Sequence, residues 1–277
     1  MKSEIEGTGL SPQTVKSMSY TDFVGLVNQW NVLPGSYVSL NKWKIFADIT
    51  KKSYILEVAC TTGFSSRELS LMTGCKGVAF DISEPSIKRA NYNKKMFAKQ
   101  IKINYEVADG YQYNHDKKFS HIIVGASLRF FPDPAAMLDR LIGMLHDSGY
   151  ILATEFYVDN KIPPTLIKEA QQVFNITPTT VGYKDVMKIY NGLEIVYEDR
   201  NIPVLETEQE IDYYTSCTIE RAKKILDITD STVLNAMYER LKLIKITSNK
   251  LREYQKYNVL VLRYRKNLYP NRYVELF

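Results

Sequence analysis

Cysteine and histidine are scarce in this chain, three of each among 277 residues. Cys60, Cys75 and Cys217 show no CxxC spacing and have no histidine nearby, which argues against a zinc knuckle, a disulfide framework or any other metal site. Long apolar runs are also missing, and no stretch approaches the length of a membrane-spanning helix. The opening "MKSEIEGTGLSPQ" is polar and lacks the apolar core of a signal peptide. Neither charge dominates: 36 basic residues face 31 acidic ones, for a net of +5, a bias too mild to call for nucleic acid. These absences lead to the expectation of a soluble, cytoplasmic protein, a monomer or homodimer, with neither membrane nor nucleic acid as partner.

What is present is alternation. "SYTDFVGLVNQW" and "YVSLNKWKIFADI" carry apolar residues at helical spacing and predict two N-terminal helices separated by "NVLPGS". Strands then alternate with helices: "SYILEVA", "CKGVAFD", "IKINYEVAD", "KFSHIIVGA" and "GYILATEFYV" read as strands one to five. Ser65 with Glu68 reads as a capping box for the first intervening helix and Gly74 as its stop. Ser83 opens the second helix, and Asp133-Pro134 opens one predicted to end near His146. "PPTLIKEAQQVF" and "YKDVMKIYNG" look helical, "LEIVYEDRNIPV" is a sixth strand and "YNVLVLRYR" a last one. Between those two strands, Thr207 and Glu210 make a second capping box that opens two long helices.

The pattern predicts an α/β protein with a doubly wound, mostly parallel, seven-stranded Rossmann-like sheet, N-terminal helices, and a helical lid between the last two strands. The expected division is a helical cap over 1–52, the core over 53–204 and 256–266, and the lid over 205–255.

Glycine is short where it matters most. "LEVACTTGFSSREL" has the strand, acid, turn and helix of a nucleotide-binding turn, yet only Gly63 stands where two or three glycines are usual; Ala59 and Thr61 hold the other places. Open parallel sheets bind ligands beyond the carboxyl ends of their strands. There the first three strands each carry an acid: Glu57, Asp81 and Asp109. Asp81 suits the two hydroxyls of a ribose. Asp109 suits an exocyclic amine such as that of adenine, with Gly110 beside it leaving room for a flat ring.

"ILEVACTTG", "GVAFDIS", "YEVADGY" and "FSHIIVGASLRFFPDPAAMLDRLIGMLHDSGYILATEF" together resemble the successive motifs of class I S-adenosylmethionine-dependent methyltransferases. The resemblance covers about residues 54–157 and the closing pair of strands. It departs from the family in the first motif, where acid-x-Gly-x-Gly-x-Gly is expected. It implies S-adenosylmethionine as cofactor: Glu57 near the methionine ammonium, Ala59, Thr61 and Gly63 lining the turn, Asp81 on the ribose, Ile82 packed on the adenine and Asp109 facing its amine. Gly125, Ala126 and Ser127 would run beneath the sulfonium. A dinucleotide presses its pyrophosphate against the turn and needs the glycines; S-adenosylmethionine has no phosphate, so the crowded turn disfavours NAD.

For catalysis, His115, His121 and His146 map away from the carboxyl ends, while Ser127, Arg129, Glu155 and Tyr157 map near them. Glu155 is the candidate catalytic group, to be weighed equally against a carboxylate merely paired with a lid lysine. Without a placed histidine, an amine acceptor is slightly favoured over oxygen. Strand four ends in "GASLRFF", without the Asn/Asp-Pro-Pro-Tyr/Phe sequence of base-amino methyltransferases. Tyr20, Tyr37, Phe130, Tyr157 and Tyr213 are candidate walls for a small-molecule or peptide-derived acceptor, as in natural-product tailoring. Two alternatives stay open: a nucleic-acid or protein methyltransferase using the basic C-terminal third, and a non-catalytic protein of the same fold.

Overall fold

The computed structural model describes residues 9–270. Three helices come first, α1 (Pro12–Ser17), α2 (Tyr20–Leu26) and α3 (Ser36–Phe46). The sequence pattern predicts only two, because α1 is short and buries a single residue, Val15. Its start is nonetheless written locally: the Ser11 side chain accepts from Thr14 N, and Pro12 takes the first helical position.

The alternating part runs β1 (Tyr54–Val58), α4 (Phe64–Thr73), β2 (Lys76–Asp81), α5 (Glu84–Phe97), β3 (Lys102–Val107), β4 (Phe119–Gly125), α6 (Pro134–Ile142) and β5 (Leu145–Val158). Then follow α7 (Pro164–Phe174), α8 (Tyr183–Met187), β6 (Glu194–Asn201), α9 (Glu208–Leu226), α10 (Ser231–Arg252) and β7 (Gln255–Arg265). The sheet order is β3-β2-β1-β4-β5-β7-β6, parallel except that β7 runs against both β5 and β6. This is the doubly wound, seven-stranded arrangement expected from the sequence. Strand order reverses between β1 and β4, so their carboxyl ends border the crevice of an open α/β sheet.

Alternate residues of the strands feed two cores. Ile55, Ile103, Ile123, Leu152 and Val259 pack beneath α3, α4 and α5, and Leu56, Val58, Ile122, Val124 and Leu260 beneath α6. Leu40 and Trp43, one turn apart on α3, are wholly buried in the first core. Burying side chains of this size contributes about 1.5–3 kcal/mol each. A third core lies off the sheet, where Val15, Phe23 and Val27 of the N-terminal segment meet Ile219, Met237 and Leu241 of α9 and α10.

Three local expectations are corrected. The Ser65–Glu68 capping box does not form: α4 begins at Phe64 behind a left-handed Gly63 with no side-chain cap, and both residues lie inside the helix. α6 stops at Ile142, so His146 is the second residue of β5. "YKDVMKIYNG" breaks after Met187 into a 3-10 turn over Lys188–Tyr190. The box at Thr207–Glu210 does form, with both reciprocal hydrogen bonds. No helix among the described residues is long and apolar enough to cross a membrane.

Candidate active site

The turn after β1 keeps its left-handed backbone without its glycines. Ala59 has φ 52°, Thr61 φ 47° and Gly63 φ 75°. A left-handed conformation costs an L-residue about 1–2 kcal/mol, so the surroundings must hold it. They do so through backbone donors: Cys60 N–H to Phe80 O at 3.0 Å, Gly63 N–H to Cys60 O at 2.8 Å and Thr61 N–H to Asp81 Oδ2 at 2.9 Å. Gly63 alone is sterically required, since a Cβ there would stand 2.5 Å from Tyr105 Cε1. Glu57 turns inward, its Oε2 accepting from Ser66 N at 2.9 Å, so the strand acid caps α4 in place of the expected box. Burial pushes the Glu57 carboxyl above its ordinary range despite that bond.

The N-terminal segment closes over this turn. Thr62 Oγ1 donates to Gln29 O at 2.7 Å, and the wholly buried Arg67 guanidinium lies 4.0 Å over the Trp30 ring. Arg221 of α9 donates to Asn28 O at 2.8 Å, which ties the inserted helices to the same segment. Gly25 lets α2 press against α5, for a Cβ there would stand 2.4 Å from Ser86 N.

At the end of β2, Asp81 is 2% exposed and uses one oxygen on Thr61 N–H and the other on Ser83 N–H, each at 2.9 Å. Burial raises its pKa, and the two backbone donors oppose the rise. Next to it Ile82 is 70% exposed. Asp109 is half-buried and accepts from Tyr111 N at 2.9 Å. Gly110 has a packing reason: Phe131 and Met137 fill the space where its Cβ would go, at 2.9 and 3.0 Å. Gly125 has φ 51°, and a Cβ there would meet Leu33 Cδ1 in ordinary contact at 3.7 Å; Ser127 donates its hydroxyl to Val124 O at 2.7 Å. Ala59, Thr61, Ala108, Asp109, Gly125, Ala126 and Ser127 form a half-buried row along the carboxyl ends.

One strand over, Gly125 pairs with Ala153, so Glu155 stands two residues beyond the end of β4. Glu155 is 2% exposed. Its Oε2 accepts from Arg129 Nε at 3.1 Å and its Oε1 from the Tyr190 hydroxyl at 2.5 Å. Arg129 Nη2 also donates to Val186 O at 2.6 Å, and Glu155 N–H donates to Asn258 Oδ1 at 3.0 Å. Burial lifts Glu155 from an ordinary 4.5 to about 7, with Tyr190 and Arg129 working against the rise. The partner is therefore Arg129 from the turn after β4, and not a lysine of the inserted helices. Tyr190 carries no signal in the sequence, because it sits in an ordinary-looking helical run 35 residues away.

The histidines lie at the other edge. His115 meets Tyr54 at the start of β1, His121 pairs with Ile55 and bonds Ala47 O at 2.8 Å, and His146 is the second residue of β5. Burial lowers the His121 pKa. Of the five aromatic candidates, Phe130 and Tyr157 share the carboxyl edge of β4 and β5, and Tyr37 stands edge-on to Phe64 beside the first turn of α4. Tyr20 packs on Phe174 in the third core, and Tyr213 is exposed on α9.

A crevice at the switch point is where open α/β sheets bind their ligands, and comparison with known proteins narrows the class. Residues 55–149 match the family described as a methyltransferase domain. The chain is 31% identical over 172 residues to malonyl-[acyl-carrier protein] O-methyltransferase 1 of Ilyobacter polytropus, covering 61% of this chain and 60% of that relative. The chain thus spans less than two thirds of that relative's length. Among solved structures it resembles the MccD protein, at 26% identity and a TM-score of 0.67 over 85% of this chain and 100% of that one. It also resembles a methyltransferase from Geobacter sulfurreducens in complex with S-adenosyl-L-homocysteine, at 16% identity and a TM-score of 0.63 over 87% and 96%. The matched segment runs from β1 into β5, and the fold around it is one shared with solved S-adenosylmethionine-dependent methyltransferases.

The donor set fits S-adenosylmethionine, the cofactor that the sequence resemblance implies. Each Asp81 oxygen has accepted one N–H and keeps a lone pair for a hydroxyl, and an exposed Ile82 flanks it as an apolar surface for a ring.

Proposed function

We propose that this chain methylates a small or peptide-derived molecule seated at the carboxyl edge of β4, β5 and β7 beneath the helical insertion, and that Glu155 orients or deprotonates it. In this reading Asp81 holds the ribose hydroxyls, and Ile82 and Asp109 border the adenine. Ala59, Thr61, Gly63, Gly125 and Ser127 shape the methionine end, with Glu57 stiffening the turn from behind. Once bound, the cofactor supplies an electrophilic methyl group, so the protein's task is to align the acceptor and manage one proton.

The observation that carries the reading is Glu155, a buried carboxylate beyond the end of β4 with a pKa lifted to about 7. An acid so placed exchanges a proton at neutral pH, which matches general-base work. Arg129 and Tyr190 fix the orientation of its oxygens. The tie from α9 through Arg221 to the Asn28 segment supports a lid role for the insertion. Cations of the basic C-terminal third are matched to acids, Lys245 and Arg252 to Glu206, Lys250 to Glu169, and Arg263 and Arg265 to Glu194, which favours a discrete acceptor over a polynucleotide.

Nitrogen is the favoured acceptor atom, because all three histidines lie at the opposite edge. The O-methyltransferase relative favours a second reading, with oxygen as the atom. Labelled methyl transfer from S-adenosylmethionine into fractionated extracts tests the activity, and no labelled product would defeat it. Mild base then separates the two readings, since it releases the label from a methyl ester and leaves an N-methyl group intact.

A further inference from the structure

A cavity of about 320 Å³ opens at the carboxyl edge of the antiparallel half of the sheet, lined by Tyr157, Asp159, Tyr183, Arg200, Asn201 and Lys256, with Ile202 as its apolar wall. Strand register places it beside Glu155. Tyr157 and Glu155 lie on the same face of β5, two residues and so about 7 Å apart, while Lys256 pairs with Tyr157 and Arg200 pairs with Asn258, itself the partner of Glu155.

The polar groups here are held from behind and left open in front. Arg200 gives Nε and Nη2 to Glu198 at 3.1 and 3.3 Å and lies 3.6 Å over the Tyr183 ring, leaving Nη1 without a partner among the described residues. Tyr183 is fixed in turn, donating its hydroxyl to the same Glu198 at 2.9 Å. Lys256 pairs with Asp159, which uses one of its three donors. Tyr157 lines the cavity with its body buried, 4% exposed overall, and its hydroxyl makes no hydrogen bond among the described residues. Two cations, a tyrosine hydroxyl and an amide therefore line one space, together with the Asp159 carboxylate that Lys256 already neutralises, and they are pre-oriented so that little ordering is left for a ligand to impose. Guanidinium, ammonium and hydroxyl donors together suit anionic oxygens.

We propose that this cavity anchors the far end of the methyl acceptor by an anionic group, a carboxylate or a phosphate. The proposal rests on the acceptor lying along the β4–β5–β7 edge, as proposed above, and adds its substrate class: an elongated anionic molecule. Its charge sits about 7–10 Å from Glu155, one to two strand spacings or two residues along β5. The cavity exceeds what a bare anion fills, so it takes the carbon skeleton next to the charge as well.

Ligand-observed NMR on the full chain tests this with two probes, inorganic phosphate by phosphorus line broadening and succinate by proton line broadening. Either probe binding the wild type, and at least tenfold more weakly to Arg200→Gln and Lys256→Gln, supports the site; which probe binds identifies the anion. Tyr157→Phe, which keeps the packing, should weaken the same probe several-fold. Equal affinity in wild type and the Arg200→Gln/Lys256→Gln double variant overturns the proposal, as does failure of both probes. S-adenosylhomocysteine, titrated in parallel by calorimetry, should bind every variant equally. Its failure to bind the wild type would strike the methyltransferase reading, while the anion site would still stand or fall on the two probes alone.

Discussion

Asp81 and Glu155 are both 2% exposed carboxylates, both pushed up in pKa by burial, and they mark the two halves of the sheet. Asp81, on the parallel half, is held entirely by backbone N–H groups of its own loop and the neighbouring turn. Glu155, beside the antiparallel β7, is held by side chains 26 and 35 residues distant in sequence. The first arrangement is rigid and leaves lone pairs toward the crevice, which suits holding a ligand of fixed shape. The second couples a titratable group to an arginine and a tyrosine, which suits proton handling and variable acceptors.

The sharpest way to break the parallel half is Gly63→Ala. The new methyl meets Tyr105 at 2.5 Å in a backbone with φ 75°. A left-handed penalty plus overpacking should lower stability by about 2–5 kcal/mol in urea unfolding. A loss below about 0.5 kcal/mol would mean that Tyr105 simply swings aside.

Glu155→Gln probes the other half. Turnover should fall roughly tenfold to a thousandfold while S-adenosylhomocysteine affinity barely changes, because loss of a general base acts on the chemical step. Wild-type turnover should climb with pH through about 7, where Glu155 deprotonates, and the variant should lack that limb. Stability carries the opposite sign. The folded pKa lies above its ordinary 4.5, so this contribution is complete below that value and is lost as pH rises through about 7. The loss is on the order of 3 kcal/mol at alkaline pH. Thermal unfolding from pH 4 to 9 should therefore slope less steeply in Glu155→Gln; parallel slopes would place the titration elsewhere.

Asp81→Ala sharpens the contrast from the ligand side. Cofactor-product affinity should weaken by about 1.5–3 kcal/mol, the range for a hydrogen bond to a charged group, as read by calorimetry. Unchanged affinity would place the ribose on other residues. The smallest effect is a gain: Thr61→Gly relieves a β-branched residue at φ 47° and should stabilise the fold by about 0.5–1 kcal/mol after the added freedom of the unfolded chain is counted. A loss of stability would show that the Thr61 side chain contributes more than its backbone strain costs.

Much of the site was legible because its grammar is local. Alternating apolar segments separated by caps such as Ser83 and Asp133 predict the strand ends within a residue or two, and so place Asp81, Asp109 and Gly125 together before any coordinate is known. Glu155 could be placed at the carboxyl edge by the same counting. Its partners could not, since nothing near Tyr190 or Val186 in sequence indicates that they close over β5. The reading of Gly110 shows the same limit: a glycine beside an acid suggests room for a ring, and the folded chain puts Phe131 and Met137 there.

The sequence by itself determined the class of fold, the line of acids along the carboxyl ends, and a first turn with a single glycine, because residue period, helix capping and strand spacing are properties of neighbours along the chain. Only the tertiary structure decided that Glu57 caps α4, that Ala59 and Thr61 accept a left-handed backbone, that Arg129 and Tyr190 grip Glu155, and that α1 and α2 share a core with α9 and α10. Each of these depends on which distant segment supplies the missing donor, acceptor or apolar face once water is excluded, and no local pattern encodes that choice.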